Sequence, residues 1–181
     1  MSYVGSVYKP SEDSYLLLKH VENLVQGRVL DMGTGSGIQA VAAALKPEVE
    51  YVLAADINLE AIKAAIETAT DTGVISKMRF IVSDLFTNIE EKFDWIVFNP
   101  PYLPSEVDIE DPTWAGGEKG GETIERFLDG AASHLTPSGS ILMIISSETG
   151  FIPNDHSYVW EVIEEKTLFF EMLYCVCLSP S

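Results

Sequence analysis

A chain of 181 residues with 46% apolar content has the size and makeup of one globular domain. Its formal charge of −17, from 28 acidic residues against 11 lysines and arginines, argues against unaided binding of nucleic acid, which needs a basic patch. No apolar run is long enough to cross a membrane and the first residues carry no leader pattern, so the expected location is the cytoplasm.

In chain order, "KPSEDSYLLLKHVENLVQ" (9–26) predicts a helix opened by Ser11, with Glu12 and Asp13 as dipole-favoured acids in its first turn. "RVLDM" (28–32) predicts a buried strand. Gly33, Gly35 and Gly37 follow it at alternate positions and lead into the helical "GIQAVAAALK" (37–46). Such a turn lets backbone approach a ligand closely, although a glycine-rich turn alone is a weak sign of a nucleotide-type ligand. "YVLAAD" (51–56) is the second strand, and Asn58 is the expected N-cap of the helix "NLEAIKAAIETATD" (58–71). "MRFIV" (78–82) and "FDWIVF" (93–98) are the third and fourth strands. "GETIERFLDGAASHL" (121–135) predicts a helix, and "GSILMIISS" (139–147) a fifth strand. Apolar strands alternating with helices predict a parallel sheet covered on both faces. "SYVWEVIEE" and "TLFFEMLYCVCL", joined tightly around Lys166-Thr167, predict an antiparallel pair at one edge. No linker or repeat interrupts residues 1–181, so a single domain is expected.

The ends of the strands carry the chemistry. Asp31, Asp56 and the Ser83-Asp84-Leu85 turn put an acid at the carboxyl end of three successive strands. In a doubly wound sheet these ends form one edge, where ligands bind. Asp56 suits ribose hydroxyls, and Asp84 with Leu85 suits an adenine amino group and ring. The spacing Gly-x-Gly-x-Gly lacks the pyrophosphate fingerprint, and no Lys or Arg stands beside it. Three acids without a cation favour S-adenosylmethionine, which bears a sulfonium and no phosphate.

The fourth strand ends in "NPPYLP", Asn99 to Pro104. Prolines stop strands because they lack an N–H. That accounts for Pro100 and Pro101 but not for Asn99 or Tyr102. The segment resembles N-methyltransferases that carry Asn/Asp-Pro-Pro-aromatic after strand four. In such a site the Asn99 oxygen and the Pro100 carbonyl accept from a planar NH₂ group, Pro101 stiffens the turn, and Tyr102 stacks on the flat target.

Together with "VYKPSEDSYLLL" (7–18) and "TWAGGEKGGETIERFL" (113–128), this motif resembles the HemK-related protein glutamine methyltransferases, in their short eukaryotic and archaeal branch. The resemblance runs from about Val7 to Leu178. It implies a Rossmann-like class I α/β methyltransferase fold with a seven-stranded, mostly parallel sheet ordered 3-2-1-4-5-7-6. The implied activity is N5-methylation of the glutamine in the Gly-Gly-Gln loop of a class I translation release factor, with S-adenosylhomocysteine as by-product. Carried over by position, cofactor contacts fall on Ser14, Asp31, Gly33, Asp56, Asp84, Leu85 and Asn99, with Gly35 in the same turn. The resemblance also implies a heterodimer, in which a small zinc-binding activator subunit adds a strand beside the third strand, where Met78, Phe80 and Val82 would offer an apolar edge. "TGFIPNDHS" (149–157) departs from the family pattern by being too short for the usual helix before strand six.

Three alternatives stay open on sequence grounds: methylation of adenine N6, methylation of protein lysine, and a cofactor-binding scaffold without activity. Cys175 and Cys177 are too few for a disulfide framework and suit sheet packing. His20, His134 and His156 show no metal spacing. The polar loop from Leu103 to Gly121, with Trp114 inside it, has the length of a functional loop.

Overall fold

Two stripes of apolar residues alternate along every central strand, and each stripe finds its own layer of helices. The computed structural model describes residues 7–101, 121–149 and 157–181. Among these residues, four helices, α1 (Glu12–Leu24), α2 (Ile38–Leu45), α3 (Leu59–Asp71) and α4 (Glu122–Ala131), accompany seven strands. The strands are β1 (Gly27–Met32), β2 (Val49–Asp56), β3 (Met78–Val82), β4 (Phe93–Phe98), β5 (Leu135–Ser146), β6 (Tyr158–Leu168) and β7 (Glu171–Pro180). Their order in the sheet is β3-β2-β1-β4-β5-β7-β6, as expected. β1 to β5 pair in parallel and β7 runs antiparallel to both its neighbours.

Val29, Val52, Ala54, Val97, Leu142 and Ile144 face α1 and α2, meeting Leu16, Leu17, Val21 and the alanines 40 and 42–44. Small side chains on α2 let that helix lie close to the sheet. Leu30, Leu53, Ile96, Ile141 and Met143 face the other way, toward Ile124, Phe127 and Leu128 of α4. Phe98 and Phe127 meet there with ring centroids 4.4 Å apart. Full burial of one such side chain stabilises the fold by roughly 1.5–3 kcal/mol, so the two layers hold the strand ends in fixed register. Asn58 caps α3 as expected, its side-chain oxygen accepting from the Glu60 N–H at 2.9 Å.

Gly37 has a structural duty. Its φ is +83°, and a Cβ there would sit 2.9 Å from the Ala65 Cα, so α2 and α3 touch through it. A side chain at that position meets both backbone strain and a clash.

Three expectations change. The β6–β7 turn falls at Phe169-Phe170, not Lys166-Thr167, because pairing continues through Thr167↔Met172 and Leu168↔Glu171. The fifth strand begins earlier, at Leu135, where its first residue pairs with Phe93. The third-strand edge is less apolar than its sequence implies. Met78 is buried and Phe80 half-buried against the α1–α2 side core, while Val82 is exposed. What β3 offers outward is therefore backbone. Cys175 is free and buried, in the same layer as Leu173. Tyr102, Trp114, His156 and most of the loops 103–121 and 149–157 lie outside the described residues.

Candidate active site

β4 carries Asn99 to the carboxyl edge of the sheet, directly beyond β1, and α1 brings its first turn against it. Asn99 Nδ2 donates to Asp13 Oδ2 at 2.9 Å and to Ser14 Oγ at 3.4 Å. Asp13 is 3% exposed, and its two oxygens also accept from the Tyr8 hydroxyl at 2.9 and 3.0 Å. Burial and the adjacent Asp13 push the Tyr8 hydroxyl pKa up, which keeps it a donor. Its backbone neighbour Ser14 donates its N–H to Asp13 Oδ1 at 2.7 Å, and Ser11 N–H reaches Ser14 Oγ at 3.4 Å. Gln39 Nε2 donates to the Ser14 carbonyl at 2.8 Å, which ties this turn to α2.

The consequence falls on the other end of the Asn99 amide. An acceptor-only carboxylate can face only the NH₂ group, so the carboxamide has one orientation. Its Oδ1 is buried and has no hydrogen-bond partner among the described residues. Such an acceptor costs roughly 1–3 kcal/mol of desolvation. A fold that holds it so invites a donor.

The glycine turn lies beside this group. Gly33, Gly35 and Gly37 all have positive φ, at 64°, 53° and 83°. A Cβ on Gly35 would meet nothing closer than the Gly33 carbonyl at 4.0 Å, which leaves the backbone of the turn open to a ligand. Asp31 Oδ2 accepts from the Thr34 hydroxyl at 2.6 Å and from Ala40 N–H at 3.1 Å. Asp56 accepts from Gly35 N–H at 2.9 Å through one oxygen and from Asn58 N–H at 2.8 Å through the other. Burial raises both carboxyls. Asp31 is pushed up to about 7, Thr34 and Ala40 pull it down, and Asp56 adds to the rise. For Asp56 the backbone donors oppose the upward push of burial.

The sign of the resulting linkage is fixed. Folded Asp31 holds its proton up to about pH 7, whereas the unfolded group releases it near 3.8. The folded state therefore binds more protons across that window, and this group's contribution to stability declines as pH rises through it. Urea titrations of wild type and Asp31→Asn from about pH 4 to 7.5 test this. The stability difference between the two proteins is expected to move in the variant's favour with rising pH. A pH-independent difference would refute the buried acid.

Ser83, Asp84 and Leu85 close the edge at β3. Leu85 has φ 47°, a left-handed conformation held by Ser83 Oγ, which donates to the Leu85 carbonyl at 2.7 Å. Asp84 is exposed and pairs with Arg126 of α4 at 2.8 Å, a partner the sequence did not reveal. The pair leaves Asp31 and Asp56 as the two carboxyl groups beside the glycine turn. The donor set suits a phosphate-free cofactor: an open glycine turn, two buried carboxyls and, among the described residues, no Lys or Arg bonded to either. Asp13 and Tyr8 were missed because an acid in a first helical turn reads as a partner of the dipole. Only the partner 86 positions away along the chain exposes its other duty.

Residues 4–154 match the model of the methyltransferase small domain family. A Methanocaldococcus jannaschii protein, MJ0928, provisionally named a protein N5-glutamine methyltransferase, is 38% identical over 149 residues, covering 80% of this chain and 74% of that one. Methyltransferase HEMK2 of Homo sapiens is 33% identical over 158 residues, covering 80% and 73%. The release factor glutamine methyltransferase of Cereibacter sphaeroides is 33% identical over 133 residues, which span 67% of this chain and 48% of that longer one. Among solved structures, the ribosomal protein L11 methylase of Lactobacillus delbrueckii subsp. bulgaricus superposes with a TM-score of 0.66 at 23% identity, covering 97% of this chain and 81% of that one. That likeness speaks to fold.

Proposed function

This chain belongs to the HemK-related branch of the methyltransferase small domain family, and on that premise we propose that it N5-methylates a glutamine of a class I release factor. The reading rests above all on the buried Oδ1 of Asn99, which has no partner among the described residues and is held ready for a planar NH₂ group.

Ser14, Asp31, Gly33, Gly35, Asp56, Asp84, Leu85 and Asn99 are the residues that would hold S-adenosylmethionine. When bound, that cofactor supplies an electrophilic methyl group. The protein's own part is orientation. Asn99 Oδ1 and the Pro100 carbonyl accept the two N–H groups of the glutamine amide. That fixes the plane of the amide and raises electron density on a nitrogen whose lone pair is otherwise delocalised. Pro101 stiffens the turn, and Tyr102 supplies the stacking face. A lysine ammonium must first lose a proton and does not need a planar clamp.

For assembly, a small zinc-binding subunit is the proposed partner, adding a strand to the open backbone of β3. Support comes from β3 being the terminal strand of the sheet, with Val82 exposed. The test is transfer of labelled methyl from S-adenosylmethionine to a release factor carrying Gly-Gly-Gln, with and without that subunit. An adenine-containing oligonucleotide serves as the parallel substrate. Label is expected on the glutamine, and strongest with the subunit present. Label on the oligonucleotide alone would overturn the reading.

A further inference from the structure

The β6–β7 ribbon outruns the sheet. Phe98, the residue before Asn99, is level with Met143, and β5 pairs with β7 as far as Ser146↔Leu173. The chain reaches Phe170 three residues further on. At about 3.3 Å per residue, the ribbon's turn stands roughly 15 Å above the level of Asn99, on the edge where the candidate site opens. At its tip Phe169 and Phe170 are 101% and 97% exposed. Two-residue hairpin turns favour Asn and Gly, so a Phe-Phe pair contributes nothing to the turn itself.

The ribbon is also braced. Lys19 and His20 of α1 both meet Glu164 at 2.7 Å, and Lys166 pairs with Glu12, one residue before Asp13. The helix that positions Asn99 therefore carries the arm that rises beside it. Around the tip, Glu148, Glu165 and Glu171 have no ion-pair partner among the described residues, so the arm is acidic as well as apolar-tipped.

We propose that Phe169 and Phe170 dock the body of the protein substrate, on an apolar patch bordered by basic residues near the target loop. The inference rests on the release-factor reading above. For a glutamine side chain to reach Asn99 Oδ1, the domain bearing it must lie over the carboxyl edge, within the reach of the ribbon. The acidic flank selects a basic border on that domain. The contact gives the enzyme a hold on the folded substrate that is separate from the reacting amide.

Phe169→Ser/Phe170→Ser removes the patch where no core contact depends on it. With intact release factor, kcat/KM is expected to fall about tenfold or more, with kcat within about twofold. Affinity for S-adenosylhomocysteine and the unfolding midpoint should stay unchanged. A benzophenone amino acid placed at 170 should crosslink to the release factor. Unchanged kcat/KM would overturn the proposal. So would an equal loss in kcat and cofactor affinity, or crosslinking confined to a second copy of this chain or to the zinc-binding subunit. A wild-type enzyme that labels no release factor would instead refute the functional reading on which the proposal stands.

Discussion

Asn99→Ala is expected to lower kcat for methyl transfer by about 10²–10³-fold, the usual effect of losing one preorganised group at a developing transition state. The fold should survive, because Asp13 keeps the Tyr8 hydroxyl and Asn99 packs no core contact of its own. The variant removes an acceptor that has no partner among the described residues. The Asp13 oxygen that loses Asn99 still accepts from the Tyr8 hydroxyl at 3.0 Å. Single-turnover labelling, with cofactor affinity measured by calorimetry, separates the two roles assigned to this residue. A loss carried by cofactor affinity, with kcat preserved, would make Asn99 a cofactor ligand and not the clamp on the amide.

Asp13→Asn should cost nearly as much, about 10²-fold in kcat, although this side chain touches no reacting atom. The change is isosteric, yet it replaces an acceptor-only group with one that also donates. Asn99 could then meet it through either end of its amide. In the flipped state Asn99 would present NH₂, and not oxygen, to the substrate. Cofactor affinity and the thermal midpoint should move little, since Tyr8 retains an oxygen to bond. Kinetics and calorimetry on the same preparation decide the matter. Unchanged kcat would show that Asn99 is oriented by something other than Asp13.

Much of the architecture was legible in the chain. β1, β2 and β4 are apolar on both faces, which only a sheet covered on both sides tolerates, and the acids at their ends mark the binding edge. The position of the ribbon turn was not legible. Lys166-Thr167 reads as polar punctuation between apolar runs, but the ribbon there is solvent-facing and its strands need no apolar alternation. The exposed phenylalanines reverse the usual pattern, in which turns are polar. In the site, Asp31, Asp56 and Asn99 announce themselves by position at strand ends. Asp13 and Arg126 act through partners 86 and 42 positions away along the chain, and one-dimensional spacing carries no record of those contacts. Leu85's left-handed backbone is equally silent, since leucine has no propensity for it.

The two ends of the sheet differ in a way that sets how many chains can join it. Along β6 the pairing register slips between Val162 and Glu164, and Glu161, Glu164, Glu165 and Lys166 line the strand. Bulges and charges of this kind blunt an edge against further pairing. β3 keeps its register throughout and carries a single charged residue, Arg79, between Met78 and Val82. The sheet thus has one receptive end and one closed end. Under the proposed strand addition at β3, growth through the sheet would stop at a pair of chains, because β6 offers no second receptive edge.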